Sequence, residues 1–418
     1  AVFDPSKGRL ESHGLLPLTM GWSADAIHAD LDAVILGMHA KADNPELLRA
    51  QELGVKVYSF PEFIYEQAKD KIRLVVAGSH GKTTTTAMIM HVLRKCDLEF
   101  DYMVGANVEG FEDSVKLTDA PIIILEGDEY LTSPIDRRPK FIWYKADHLM
   151  ITGIAWDHIN VFPTNELYEK QFADLIESHQ KGGLIYYVGD EVLDRMVSGQ
   201  FKPSVFVKPY DTPRYKMQDG ITTVCHEEIS CDLEIIGEHN LQNMEGARLL
   251  CEEIGIKAAQ FYEAMEDFSG AGRRLELQYK SDELVIYKDF AHSPSKVTAS
   301  VKAITNQYPD MKAVAFLELH TFSSLNKDFL PNYKHSLDAA DEAVIYLNPE
   351  TLAKKGDLKI TEEEIHTAFG RTDIQLIESP EELKDYLIRR AKSNQIVICM
   401  SSGNWGGVAI QELLKGEE

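Results

Sequence analysis

The clearest chemical signal in this chain lies in the segment "VVAGSHGKTTTTAMIM", residues 75 to 90. An apolar strand runs into a loop with two glycines, Gly78 and Gly81, and a helical pattern then begins with Lys82 and Thr83. In such a loop, backbone N–H groups and the helix N-terminus face an anion. Lysine brings a cation to the β- and γ-phosphates, and threonine offers a hydroxyl to Mg²⁺. The segment therefore indicates nucleotide binding.

The loop is shorter than the common phosphate loop, which has four residues between its glycines. Here only Ser79 and His80 separate them. A structural glycine turn is the alternative interpretation of this segment by itself. Whether the segment binds a nucleotide or is only a structural turn therefore depends on which other residues lie near the loop.

Two further strands end in residues that could complete a metal-nucleotide site. "PIIILEGDEY" ends in Glu126, Asp128 and Glu129, and "HLMITGIAWDH" ends in Asp157 and His158. The carboxyl ends of parallel strands meet at one crevice, where open α/β sheets bind ligands, and carboxylate oxygens suit Mg²⁺. Each segment alone is also a common solvated strand end. Together with the loop they predict a metal-nucleotide site.

Asparagine and arginine side chains follow in the next third of the chain. "GEHNLQNMEGARLL" places Asn240 and Asn243 on one face of a helix, where they could contact a base or cap a turn. "GAGRRLE" supplies Arg273 and Arg274, whose guanidinium groups can bind phosphate oxygens or form surface ion pairs.

A last motif, "YKDFAHSPSKV", lies in the third part of the chain. It places Asp289 and His292 at a strand end, just before a helix that begins at Pro294.

Helix-like and strand-like segments alternate along the whole chain, which predicts an α/β fold with parallel sheets. We expect three domains in series: a Rossmann-like N-terminal domain over 1–72, a central P-loop ATPase-type α/β domain over 73–271, and a C-terminal Rossmann-like α/β domain over 272–418. The N-terminal pattern lacks its first strand, which we expect to lie upstream of Ala1. The length of 418 residues is ample for such cores.

Composition excludes several classes of function. With 67 acidic and 43 basic side chains, the formal net charge of −24 disfavours nucleic acid as a partner. Apolar runs are far shorter than the roughly 18 to 20 residues of a membrane span, so we expect no membrane insertion. Five cysteines without CxxC spacing are typical of a reduced, cytoplasmic protein. The oligomeric state cannot be read from the sequence.

Several motifs in this order resemble those of the Mur ligase family, and the resemblance covers almost the whole chain. The motifs are GSHGKTTT, EGDEY, WDH, GEHNLQN, GAGRR and DFAHSP. The resemblance implies a UDP-sugar domain, an ATPase domain and a third domain that closes over the site, with ATP and Mg²⁺ as cofactors. It further implies UDP-N-acetylmuramate and an amino-acid or peptide acceptor as partners.

The resemblance also implies roles for individual residues. Lys82 would stabilise the γ-phosphate, Asn240 would contact adenine, and Arg274 would reach the γ-phosphate as the domains close. The implied ATP contacts are Gly78, Ser79, His80, Gly81, Lys82, Thr83, Thr84, Asn240, Asn243, Arg273, Arg274, Asp289 and His292. The implied catalytic residues are Lys82, Glu126, His158, Arg274 and Asp289. The implied metal ligands are Thr83, Glu126 and His158.

The implied reaction activates a substrate carboxylate as an acyl phosphate, which an amine then converts to an amide. Some family branches use a carbamoylated lysine on the helix after the WDH motif, where this chain has Phe172. We therefore expect the branch that acts on the free muramyl carboxylate.

Within that branch, one activity adds L-alanine and the other adds the tripeptide L-Ala-γ-D-Glu-meso-diaminopimelate in peptidoglycan recycling. "EGDEYLTSPIDRRPKF" and "MSSGNWGG" resemble the tripeptide-adding enzymes, although Leu131 stands where both groups commonly have Asp. "ELHTFSSL" lacks the arginine usual in the alanine-adding enzymes, and its His320 and Thr321 are candidate acceptor contacts. We expect the tripeptide activity. A catalytically silent nucleotide-binding regulator is a further alternative, and a folate polyglutamate ligase is disfavoured by the N-terminal α/β domain.

Overall fold

A computed structural model of the 418-residue chain shows the fold. The structure describes residues 6–17, 21–106, 108–156, 161–200, 205–218, 221–270, 275–354, 360–390 and 394–409. Three of the predicted site residues, His158, Arg273 and Arg274, lie outside these ranges, as does Asp157.

The described elements alternate between helix and strand for most of the chain. The strands are β1 (Val34–Leu36), β2 (Val57–Ser59), β3 (Ile72–Ala77), β4 (Phe100–Met103), β5 (Val115–Lys116), β6 (Ile122–Gly127), β7 (His148–Ile151), β8 (Gly183–Tyr187), β9 (Phe206–Tyr210), β10 (Tyr215–Gln218), β11 (Ile221–His226), β12 (Ile229–Leu233), β13 (Glu276–Lys280), β14 (Leu284–Asp289), β15 (Lys312–Glu318), β16 (Glu342–Tyr346), β17 (Gln375–Ile377) and β18 (Gln395–Met400). The α-helices are α1 (Ser6–Ser12), α2 (Pro45–Leu53), α3 (Phe60–Ala68), α4 (Lys82–Lys95), α5 (Lys140–Trp143), α6 (Asn165–Ser178), α7 (Glu191–Arg195), α8 (Glu238–Glu252), α9 (Ala258–Met265), α10 (Pro294–Gln307), α11 (Pro349–Lys354), α12 (Glu362–Phe369) and α13 (Pro380–Arg390).

The chain divides into two compact units. The first contains residues 1–69 and 130–144, and the second contains 70–129 and 145–418. In the first unit β1 and β2 form a parallel pair. Asn44 caps α2 through its side-chain oxygen, and Gly54 ends that helix in the left-handed conformation. This is the local βα pattern that the sequence predicts.

The second unit contains a seven-stranded sheet in the order β5-β4-β6-β3-β7-β8-β9. All of its pairings are parallel except that of β4 with β5. The central strand β3 has β6 on one side and β7 on the other, so the chain that leaves β3 enters a crevice between their carboxyl ends. The phosphate loop lies there.

A six-stranded sheet follows in the same unit, in the order β13-β14-β18-β15-β16-β17. Only the β13–β14 hairpin is antiparallel. A small antiparallel sheet, β10-β11-β12, precedes it along the chain. Its strand β11 donates a hydrogen bond from the buried Thr222 hydroxyl to Gln307 of α10, at 3.2 Å.

The predicted α/β class is confirmed, and most predicted strands and helices are present. One strand is shorter than predicted: β7 ends at Ile151, and residues 152 to 156 form no regular element. Within the described residues, no helix combines the length and apolar character that crossing a membrane requires.

Candidate active site

The loop between β3 and α4 depends on its two glycines. Gly78 has a φ of 131°, and a Cβ there would lie 2.1 Å from Thr152 Oγ1. Gly81 has a φ of 81°, and a Cβ there would lie 2.2 Å from Asn243 Oδ1. Both positions combine a backbone conformation that glycine favours with a close neighbour. The short spacer is therefore a tight loop, bounded by Thr152 just after β7 and by Asn243 of α8.

The residues that follow β7 support the loop from one side. The backbone N–H of Ser79 donates to the carbonyl of Gly153 at 2.8 Å, and the N–H of Thr152 donates to that of Ala77 at 3.0 Å. The hydroxyl of Thr152 also donates to the carbonyl of His80. Thr152 and Gly153 carried no motif in the sequence, so their role in fixing the loop was missed.

Lys82 is the first residue of α4, and its ammonium group lies under the loop. It donates to the carbonyl of Gly78 and lies 2.7 Å from Glu129 Oε2. Burial on its own would lower the pKa of Lys82, but the attraction of Glu129 and their hydrogen bond outweigh it, so the pKa is raised. Lys82 is therefore a fixed cation at the phosphate loop.

Thr83 and Glu126, two of the predicted metal ligands, lie together. The Thr83 hydroxyl donates to Glu126 Oε1 at 2.9 Å, and the backbone N–H of Gly105 donates to Oε2 at 2.8 Å. Glu126 lies in β6, and Thr83 lies in the helix that follows β3. These two strands are neighbours and pair in parallel up to Ala77 and Gly127. A hydroxyl and a carboxylate oxygen are hard donors that fit Mg²⁺.

The third predicted metal ligand, His158, falls in 157–160 and lies outside the described residues. Across the part of the chain that the structure describes, no group of three or more His, Cys, Asp or Glu side chains has metal-binding geometry. Of the three predicted metal ligands, the structure therefore describes Thr83 and Glu126.

The two asparagines of "GEHNLQN" are buried on α8 and face the loop region. Asn240 Nδ2 donates to the carbonyl of Ile236 at 2.8 Å, which fixes the orientation of the amide. Asn243 is the neighbour that would collide with a side chain at Gly81. The helix therefore joins the phosphate loop to the cavity described below.

Asp289 and His292 organise the chain that follows β14. The Asp289 carboxylate is buried and accepts hydrogen bonds from the backbone N–H of Leu275 at 3.2 Å, from that of Phe290 at 2.8 Å and from the hydroxyl of Ser300. His292 Nδ1 hydrogen-bonds to the carbonyl of Phe290 at 2.8 Å. Both side chains shape the strand end as well as being candidate nucleotide contacts.

A cavity of about 520 Å³ brings many of these residues together. Predicted site residues in its lining are Ser79, His80, Gly81, Thr84, Asn240, Asn243 and Asp289. Described site residues outside the lining are Gly78, Lys82, Thr83, Glu126 and His292. The second set, apart from His292, lies at or beneath the loop. The cavity lies beside the loop and has room for the nucleoside part of a nucleotide.

The six-stranded sheet contributes to this cavity through α10. His80 Nε2 lies 2.7 Å from the hydroxyl of Ser295, in the first turn of that helix. The loop and α10 are therefore in direct contact.

Tyrosines in the cavity wall were missed in the sequence. Tyr187 and Tyr210 have ring centroids 5.6 Å apart, and both line the cavity. Burial raises the pKa of Tyr210, which stays protonated. The rings give the wall an apolar surface on which a planar base can lie.

A second cavity, of about 430 Å³, adjoins the strand end at Asp289 and is lined by Lys288, Ser401, Asn404 and Trp405 among others. The loop at its wall is held by buried Glu318, whose Oε2 accepts from the Ser401 hydroxyl and from the backbone N–H of Trp405 at 3.1 Å. The segment "MSSGNWGG" is therefore a structured loop.

Of the two predicted acceptor contacts, His320 lies beside Glu318 with Nδ1 3.7 Å from Oε1. Thr321 hydrogen-bonds to Ser324, with their hydroxyl oxygens 2.9 Å apart.

Two family profiles match the chain. The one described as the Mur ligase middle domain matches residues 76–251, and the one described as the Mur ligase, glutamate ligase domain matches residues 273–403. Together they cover both parallel sheets of the second unit almost completely.

Individual relatives have two different acceptors in their names. The chain is 26% identical to the UDP-N-acetylmuramate–L-alanyl-γ-D-glutamyl-meso-2,6-diaminoheptandioate ligase of Escherichia coli, over 99% of this chain and 91% of that protein. It is 28% identical to the UDP-N-acetylmuramate–L-alanine ligase of Caldicellulosiruptor saccharolyticus, over 91% of this chain and 85% of that protein.

Solved structures show the same fold. The UDP-N-acetylmuramate–alanine ligase of Thermotoga maritima superposes with a TM-score of 0.68 at 20% identity, covering 98% of this chain and 89% of that one. MurF ligase of Thermotoga maritima, in complex with ADP, gives 0.67 at 15% identity, with 92% and 93% covered. The chain belongs to the Mur ligase family of ATP-dependent acid–amino acid ligases.

Proposed function

We propose that this protein joins the carboxylate of UDP-N-acetylmuramate to the amine of the tripeptide L-Ala-γ-D-Glu-meso-diaminopimelate, and that ATP is cleaved to ADP and phosphate. The observation that carries the proposal is the arrangement at the carboxyl edge of the seven-stranded sheet. A phosphate loop, a fixed lysine and a hydroxyl–carboxylate pair lie beside a cavity that is closed by α10.

In the first step, the muramyl carboxylate attacks the γ-phosphorus of ATP, which gives an acyl phosphate and releases ADP. Two anions must approach each other, so the main contribution of the protein is positive charge placed where negative charge builds up. Lys82 supplies one such charge, and Arg274, with Arg273 as the second candidate, is proposed from its motif to supply another. Mg²⁺ would neutralise phosphate charge when bound, held by Thr83 and Glu126 together with His158.

In the second step, the acceptor amine attacks the acyl carbon, the amide bond forms and phosphate leaves. The nucleoside would be held by Asn240 and Asn243 from α8 and by Asp289 and His292 from the six-stranded sheet. Because α10 contacts the loop through Ser295, the two sheets can exclude water from the acyl phosphate during this step.

The loop after β15 supports a peptide acceptor over free alanine. Residues 319–326 contain no lysine or arginine, and the next cation, Lys327, lies 2.6 Å from Glu364. The carboxylate of free L-alanine lies next to the attacking amine and requires a cation there. In the tripeptide the first residue is joined through an amide, so the carboxylates lie farther from the reacting amine.

We also propose the three-domain division at 1–72, 73–271 and 272–418. The family matches at 76–251 and 273–403 fall within the second and third of these ranges, which supports the division. Because ATP and a UDP-sugar are the proposed substrates, we place the reaction in the cytoplasm.

Mass spectrometry of the product tests the acceptor. The protein is incubated with ATP, Mg²⁺ and UDP-N-acetylmuramate, and either L-alanine or the tripeptide is added in separate reactions. We expect the ligated product only with the tripeptide. A product formed with L-alanine alone would replace the proposed acceptor, and no ATP turnover with either would favour the regulator.

A further inference from the structure

The lysine of the phosphate loop is already paired with an acid that the reaction scheme does not use. Glu129 follows β6, is completely buried, and has Oε2 2.7 Å from Lys82 Nζ. Its other oxygen, Oε1, accepts a hydrogen bond from the Tyr168 hydroxyl of α6 at 3.3 Å. A carboxylate with no exposed surface is thus aimed at the group that is proposed to bind phosphate.

This pairing has a clear electrostatic effect on the nucleotide-free loop. The side chain of Lys82 is only 12% exposed, and burial disfavours the charged form of an amine. The neighbouring carboxylate favours the charged form, and the carbonyl of Gly78 accepts a second hydrogen bond from the ammonium. Glu129 and the carbonyl of Gly78 therefore hold the ammonium of Lys82 in a fixed position before any nucleotide arrives.

The same pairing opposes nucleotide binding. The ammonium must either leave Glu129 to meet a phosphate or contact the phosphate through its remaining proton while it stays beside the carboxylate. In both geometries the negative charge of Glu129 offsets the attraction between Lys82 and the phosphates.

We propose that Glu129 is a positioning residue that holds Lys82 in the empty phosphate loop and competes with the nucleotide phosphates for its ammonium group. The proposal rests on the proposed function, because it takes the loop to be the phosphate site. Competition of this kind weakens the binding of ADP as well as of ATP. It therefore favours product release and keeps turnover from being limited by a tightly held ADP.

The substitution Glu129→Gln tests the proposal because it removes the charge and keeps the shape. We expect the dissociation constant for ADP, measured by calorimetry in the presence of Mg²⁺, to fall about tenfold. In steady-state assays with both substrates, the KM for ATP and kcat should fall together, since product release becomes slower. A role limited to packing would not tighten ADP binding.

Glu253→Gln is the matched control. Glu253 is a largely buried carboxylate that lies 2.6 Å from Lys208 and 3.2 Å from His148, beside the first residues of β7 and β8. The substitution removes a comparable ion pair far from the loop, so we expect the affinity for ADP to stay within about twofold of the wild-type value.

A double-mutant cycle shows whether the effect acts through the lysine. In a Lys82→Met background, Glu129→Gln should change ADP affinity by less than about twofold. Glu129→Asp, which retains the charge but withdraws it by one methylene, should give an intermediate affinity and serves where Glu129→Gln does not fold.

The outcomes separate the two proposals. If wild-type protein does not bind ADP, the proposed function fails. If wild-type protein binds ADP but neither Glu129 variant binds it more tightly, or if Glu129→Gln tightens binding equally without Lys82, the competition proposal is wrong.

Discussion

At the residue scale, the phosphate loop depends on a contact between two distant motifs of the sequence. Gly81 and Asn243 lie so close that a Cβ on the glycine would be 2.2 Å from the amide oxygen. The glycine also has a positive φ, which costs a non-glycine residue roughly 1 to 3 kcal/mol. The spacing of the loop is therefore set partly by α8.

Gly81→Ala should consequently lose both stability and nucleotide binding. We expect the free energy of unfolding, from urea titration, to fall by about 1 to 3 kcal/mol, and ADP binding to be lost in a calorimetric titration. Gly255→Ala is the control, because Gly255 has a φ of 90° but open space around its Cβ position. It should lose stability and retain ADP binding; equal ADP affinity in both variants would contradict the close-contact argument.

Lys82→Met should remove the charge that we propose stabilises the transferring phosphate. Loss of one such group typically costs about a hundred- to a thousandfold in rate, so kcat for ADP formation with both substrates should fall by at least about a hundredfold. A coupled assay measures this, and circular dichroism checks that the fold is retained. Lys208→Met, which disrupts the ion pair with Glu253 instead, should keep near-normal turnover. Near-normal turnover of Lys82→Met would remove the phosphate-loop assignment.

At the element scale, regular apolar patterns predicted the positions of the phosphate loop, of α4 and of β6 from the sequence. Strands without such a pattern could not be predicted. All four residues of β10 are exposed, so the strand shows no alternation of apolar and polar residues, and the antiparallel sheet β10-β11-β12 was missed. β7 was predicted too long because the apolar residues Ile154 and Ala155 continue its composition beyond Ile151, where the chain turns to support the loop.

The contacts of the carboxylates at the end of β6 could not be predicted from the sequence either. Glu126, Asp128 and Glu129 look alike in the sequence, yet Glu126 bonds to Thr83 whereas Glu129 turns into the core and meets Lys82. The direction in which each side chain leaves the strand end depends on tertiary packing against α4 and α6. The sequence identified the cluster of acids. Which acid contacts which residue is determined by the tertiary structure.

The turn between α6 and β8 should make stability depend on pH. His179 is buried there, its Nε2 donates to the carbonyl of Gly183 at 3.1 Å, and burial lowers its pKa below the ordinary 6.5. Below pH 6.5 the unfolded chain takes up a proton that the folded chain resists, so the free energy of unfolding should fall as the pH decreases from about 7 to 5.

Urea unfolding at a series of pH values measures this dependence. His179→Gln, which keeps an amide donor but cannot be protonated, should show a smaller decrease over the same range. Identical pH profiles for the two proteins would show that His179 does not contribute.

At the scale of the whole molecule, helix α10 links the six-stranded sheet to the phosphate loop and to the antiparallel sheet. Ser295 in its first turn contacts His80, and Gln307 at its end accepts a hydrogen bond from Thr222. One helix therefore contacts the loop near its first residue and the small sheet at its last residue. We therefore infer that its position sets how tightly the proposed nucleotide cavity is closed.

Ser295→Ala should weaken ATP binding without affecting the fold. A single hydrogen bond is worth roughly 1 kcal/mol, so the KM for ATP should rise about fivefold while the unfolding midpoint stays unchanged. Thr298→Ala is the control on the same helix, since its hydroxyl donates to the carbonyl of Pro294 at 3.0 Å. If both variants have the same KM for ATP, the His80–Ser295 contact does not contribute to closure.

The central claim, that ATP activates a substrate carboxylate as an acyl phosphate, is tested most directly by following oxygen. UDP-N-acetylmuramate labelled with oxygen-18 in its carboxylate is incubated with ATP, Mg²⁺, the tripeptide and the protein, and the released phosphate is analysed by mass spectrometry. Attack of the carboxylate on the γ-phosphate, followed by amide formation, transfers one labelled oxygen to each phosphate, and this is the result we predict. Phosphate without label, released at the same rate whether or not the sugar and peptide are present, would show water as the attacking group and contradict the account.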